Sequence, residues 1–64
     1  MADARIEEYG SGYLIRPLDE PVADWLRAFG PSGAIRVGAA LLMKPGDRDR
    51  VVEGLREDGV DVQD

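Results

Sequence analysis

A chain of 64 residues carrying a net charge of −5 has room for one small domain and repels the polyanionic surfaces of nucleic acids and acidic membranes. It contains no cysteine and no histidine. That excludes disulfides, thiolate zinc sites and a cysteine nucleophile, together with the commonest general base and the commonest neutral-pH metal ligand.

A chain this short buries only about 60% of the surface its unfolded form exposes. With no covalent staple to help, the apolar pattern must carry the fold, self-association and partner binding aside. Arginine outnumbers lysine seven to one, a bias expected of a high-GC bacterial or phage genome. The opening Met1-Ala2-Asp3-Ala4-Arg5 lacks the apolar segment of a signal peptide. The longest apolar run, Val37 to Met43, is too short to span a bilayer. The expected location is therefore the cytoplasm.

In chain order, Met1 to Asp3 reads as a frayed terminus. Arg5 to Tyr9 and Tyr13 to Arg16 read as two strands joined by Gly10-Ser11-Gly12, a hairpin signal. A phosphate-cradling reading of this Gly-Ser-Gly would need a helix directly after it, and a strand follows instead. Asp19-Glu20-Pro21 opens a helix, with a carboxylate at the cap and proline in the first turn. Val22, Trp25, Leu26 and Phe29 then complete one apolar helical face. Gly30-Pro31 ends it, with Gly30 expected in a left-handed cap. Trp25 has two readings at this point, a core anchor beneath the helix or an interface hot spot.

Ala34 to Met43 is the most apolar stretch and reads as one long strand. Ile35, Val37, Ala39, Leu41 and Met43 would form a buried face. Ala34, Arg36, Gly38, Ala40, Leu42 and Lys44 would form an uncovered one. On this reading Val37→Asp unfolds the domain, Arg36→Asp is mild, and Gly38 marks a bulge or a close backbone approach. Asp47 then caps a second helix that runs to about Asp58, with Val51, Val52 and Leu55 as its apolar stripe. Gly54 in its interior costs about 1 kcal/mol, so either something packs closely there or the helix is weak. After Gly59, Val60-Asp61-Val62 alternates as a short edge strand.

The expected architecture is α+β, a two-layer sandwich of order β-β-α-β-α-β, with a three- or four-stranded sheet and two helices on one face, spanning residues 1–64 as a single domain. The expected core is Ile6, Leu14, Ile15, Leu18, Val22, Trp25, Leu26, Phe29, Ile35, Val37, Leu41, Met43, Val51, Val52, Leu55, Val60 and Val62. The run Leu42-Met43-Lys44-Pro45-Gly46-Asp47, followed by Val51 to Val62, looks like the strand–helix–strand units of ferredoxin-like regulatory domains. This resemblance is to a fold pattern and implies no functional residue.

No constellation for chemistry emerges. Ser11 and Ser32 both lie in glycine-containing turns without a histidine partner. The adjacent carboxylates Glu7-Glu8, Asp19-Glu20 and Glu57-Asp58 are neighbours in sequence, and on a strand such neighbours point to opposite faces. Asp49, Glu53 and Glu57 recur every four residues and form an acidic ridge on the second helix. That ridge is a solvated face or a docking surface, since a metal site would need more converging oxygens.

The sequence therefore leads to a small non-catalytic protein-interaction or regulatory module that requires no cofactor or metal. An inhibitor of a host or partner protein, of the kind that phages and mobile elements encode, belongs to this class. The partner-binding candidates are Arg36 and Leu42 on the uncovered sheet face, and Asp49, Glu53 and Glu57 on the second helix. The expected partner is another protein, with a homodimer as a further outcome, and neither nucleic acid nor membrane. The alternative is a ferredoxin-like small-ligand-binding regulatory domain acting as an oligomer. Only Pro45-Gly46-Asp47 approximates the Gly-rich loop such a domain would need.

Overall fold

The computed structural model of the chain describes residues 2–63. The first strand, β1 (Ala4–Tyr9), pairs antiparallel with β2 (Gly12–Pro17). Their register runs from Ala4↔Pro17 to Tyr9↔Gly12, so Gly10-Ser11 forms the tight loop that the glycines announced. Asp3 is not frayed. Its N–H donates to Asp61 O at 2.7 Å, its own carbonyl accepts from Leu18 N at 2.9 Å, and its carboxylate accepts from Asp61 N at 3.2 Å. Met1 lies outside the described residues.

Helix α1 (Glu20–Phe29) starts as its sequence dictates. Asp19 Oδ1 accepts from Val22 N at 3.1 Å, and Pro21 stands in the first turn. Val22 and Leu26 are buried and Trp25 packs against the core. Phe29 does not complete that face. It is 68% exposed and lies against the Trp25 ring, at 5.3 Å between centroids. Leu18, also expected in the core, is half exposed in the link before the helix. Gly30 ends the helix in an extended conformation rather than a left-handed one (φ −64°, ψ 154°), while its N–H still closes on Leu26 O at 2.9 Å.

The long central strand is in fact a hairpin. The chain reverses at Gly38-Ala39, between β3 (Ile35–Val37) and β4 (Ala40–Met43). Their register is Ile35↔Leu42, Arg36↔Leu41 and Val37↔Ala40. Gly38 has φ +61° and Ala39 does not have a positive φ, the combination of a two-residue type II′ turn with glycine at its first central position. Such a turn brings odd residues of one strand opposite even residues of the next. Ile35 and Val37 therefore leave the face of Leu41 and Met43 and join that of Ala40 and Leu42. Arg36 moves the other way. The expected buried set is accordingly corrected: Leu41 and Met43 are buried, whereas Ile35 and Val37 are 62% and 50% exposed.

Helix α2 (Pro45–Glu57) begins two residues before the expected cap. Proline takes the first helical position, Lys44 stands at the N-cap without a side-chain bond, and Asp47 lies in the first turn, where negative charge is favourable. At its other end Gly59 N donates to Arg56 O and Val60 N to Leu55 O, both at 3.0 Å. This pair of bonds is a Schellman closure. It delivers the chain to β5 (Val62–Gln63), which lies parallel to β1 at the sheet edge.

The fold is thus α+β, with a mixed five-stranded sheet in the order β3-β4-β2-β1-β5 and two helices. The strand count and element order differ from expectation by the one strand that Gly38 creates. Because β2 and β3 are both antiparallel to β4, β2–α1–β3 is a parallel connection that skips one strand. By the same reasoning β4–α2–β5 skips two. The two connections interleave.

Ala4, Ile6, Ile15, Leu41, Met43 and Val62 project from one side of the sheet into a single cluster with Val22 and Leu26 of α1 and Val51, Val52 and Leu55 of α2. Both helices therefore cover the same face. Trp25 joins them. A Cβ at Gly54 would lie 3.1 and 3.2 Å from two atoms of its indole ring, and the indole N–H donates to the Asp58 carboxylate. The helix-interior glycine is explained by this close approach, and Trp25 is a packing residue between helices. Arg48, one turn into α2, places its guanidinium 5.1 Å from the centroid of the Tyr13 ring on β2, a cation–π contact.

Candidate functional site

Side chains alternate across a sheet, and here one set has no helix over it. Its rows follow from the strand register. Glu7, Leu14, Leu42 and Ile35 stand side by side across β1, β2, β4 and β3. In the next row Arg5 stands beside Arg16, and Ala40 beside Val37. Tyr9, 61% exposed, belongs to the same face of β1.

The open face is therefore graded. Its β1 side is charged, with Arg16 Nε bonded to Glu7 Oε1 at 2.8 Å. Its β3 side is apolar. Leu14 and Ala40 are buried although they stand outside the cluster beneath the helices. Leu42 is half-buried beside the exposed Ile35 and Val37. The apolar end runs into a depression of about 250 Å³ lined by Tyr9, Ser11, Gly12, Ile35, Leu42 and Lys44, among others.

The five candidate residues do not form one site. Leu42 is at the centre of the open face. Arg36, expected beside it, projects from the helix-bearing side at the sheet's β3 edge, because it stands opposite Leu41. There it borders a second depression, of about 240 Å³, with Arg27, Ser32 and Ala34. Asp49, Glu53 and Glu57 are exposed and share a trough along α2. Arg48 and Arg56 line the same trough, and Arg48 Nη1 lies 3.0 Å from Asp49 Oδ1, so the acidic ridge is interrupted by cations. Among the described residues no three His, Cys, Asp or Glu side chains are placed to hold a metal ion, and no helix is long and apolar enough to cross a membrane.

Ile35, Val37, Leu14 and Tyr9 also belong to the open face, and sequence reasoning did not assign them to it. The signal for the first two was present: a Gly-Ala pair within an apolar run longer than a typical strand of five or six residues, glycine first, is itself a hairpin turn.

No protein-family model, curated protein or solved structure matches the chain.

Proposed function

We propose that this chain is a non-catalytic protein-interaction module that engages its partner with the open sheet face. The observation that carries the reading is the apolar end of that face. Ile35, Val37 and Tyr9 are each at least half exposed around Leu42, and contiguous exposed apolar surface on a small protein marks an interaction site. The graded character, apolar at β3 and charged at β1, matches a docking surface with a hydrophobic centre and a polar rim. The absence of histidine and cysteine supports a binding role over a catalytic one. Inhibition of a host protein, as by phage- or mobile-element-encoded proteins, is one form such a module takes.

A second reading, a ferredoxin-like regulatory domain that binds a small ligand as an oligomer, has the interleaved β2–α1–β3 and β4–α2–β5 connections in its favour. One pair of experiments separates the two. Affinity purification from the native host with the wild-type chain, with Ile35→Ser/Val37→Ser and with Tyr9→Ser is expected to recover a partner with the first bait only. A thermal-shift screen against amino acids and nucleotides is expected to show no stabilisation. A partner retained by either variant, or a clear ligand-induced shift, would overturn the proposal.

A further inference from the structure

The sheet ends at β3, and the hydrogen-bonding direction of that edge follows from the hairpin. A two-residue loop closes on a hydrogen-bonded pair, here Val37↔Ala40, and bonded and non-bonded pairs alternate along an antiparallel ladder. Ile35 and Val37 therefore spend their backbone groups on β4, while Arg36 turns its N–H and C=O to the free edge. The neighbouring Ala34 N–H is already given to Pro31 O, at 3.1 Å. The edge thus offers one exposed narrow pair, centred on Arg36.

The side chains around that pair are specific. Arg36 is exposed on the helix-bearing side and makes no ion pair among the described residues, whereas its neighbour Arg27 is bonded to Asp24. Ile35 and Val37, on either side in sequence, point to the open face and are exposed.

A second copy of the chain is a poor occupant. Symmetric antiparallel pairing through the one free pair puts Arg36 directly against Arg36, and like charges directly opposite are destabilising.

We infer that the β3 edge accepts an extended segment of another protein in which an Asp or Glu is flanked by apolar residues, added as a sixth strand. The acidic side chain stands across from Arg36, beside the depression that Arg27 and Ser32 line. The flanking apolar side chains fall on the open face next to Ile35 and Val37. Main-chain bonds then supply affinity and the alternating side chains supply selectivity. This inference rests on the open-face reading and names the chemistry of its partner.

The test is selection from a displayed library of random 12-residue peptides, with the folded wild-type chain and Arg36→Glu as parallel baits. Wild type is expected to enrich apolar–Asp/Glu–apolar triplets. Arg36→Glu is expected to enrich Lys or Arg at the same central position, and to bind a synthetic wild-type-selected peptide at least about tenfold more weakly. No enrichment, or an enriched motif indifferent to the charge at position 36, overturns the edge inference. Native mass spectrometry showing a wild-type dimer that Arg36→Pro, which removes the free edge N–H, disrupts would place a second copy on the edge and also overturn it. Either result can coexist with partner loss on Tyr9→Ser, an exposed open-face position on β1 away from the β3 edge, so the two failures are told apart.

Discussion

Gly54 shows how much one missing methyl group can decide. An alanine there would raise intrinsic helix propensity by about 1 kcal/mol. Its Cβ would also sit within 3.2 Å of the Trp25 ring, which is tied to Asp58 and cannot retreat freely. Overpacking of this kind costs about 1–3 kcal/mol, so the steric effect is the larger one. Gly54→Ala is expected to lower the urea-unfolding free energy by about 1 kcal/mol in the wild-type chain. In a Trp25→Leu background the same substitution should instead stabilise, because only the propensity gain remains. The double-mutant cycle reads the sign reversal directly, and additive behaviour would contradict the Trp25–Gly54 contact. In sequence, Gly54 was legible as an anomaly and Trp25 as a large apolar residue. Their meeting was not, since it depends on two helices far apart in the chain being laid on one sheet face.

At the scale of elements, the helices and the first hairpin were readable because local chemistry marks their ends. Asp19 caps, proline occupies the first turn of both helices, and Gly59 closes the second. The central hairpin was not read, for a physical reason. The apolar alternation from Ile35 to Met43 continues without a break through the Gly38-Ala39 turn, while the turn itself exchanges the two faces. A continuous period of two is therefore compatible with either a straight strand or a reversal, and only Gly38 distinguishes them.

One consequence inverts what the straight strand implied, and Leu41, buried on either reading, is its control. Val37→Asp is expected to remain folded, within about 1 kcal/mol of wild type, as exposed substitutions usually are. Leu41→Asp is expected to unfold the chain by burying an unpaired charge. Gly38→Val should cost about 1–2 kcal/mol through its left-handed backbone. Circular dichroism with urea titration measures all three. Equal tolerance of Val37→Asp and Leu41→Asp would rule out the face assignment.

For the whole molecule, the covering of one sheet face and not the other divides stability from interaction. The helix side holds the contiguous cluster, and Leu55 at its heart is fully buried. The open side holds the exposed Ile35 and Val37, whose truncation removes little buried area. A domain of this length has a total stability of about 3–10 kcal/mol, at roughly 0.05–0.15 kcal/mol per residue. Replacing a buried leucine by alanine costs about 2–5 kcal/mol. Leu55→Ala therefore takes a large share of everything that holds the chain folded. Thermal denaturation should show a strongly depressed and broadened transition for Leu55→Ala. By contrast, the exposed pair Ile35→Ser/Val37→Ser should melt within a few degrees of wild type. A small shift for Leu55→Ala would mean that the cluster beneath the helices is not the principal source of stability. A large shift for the open-face pair would mean that the surface proposed for a partner is also serving the fold.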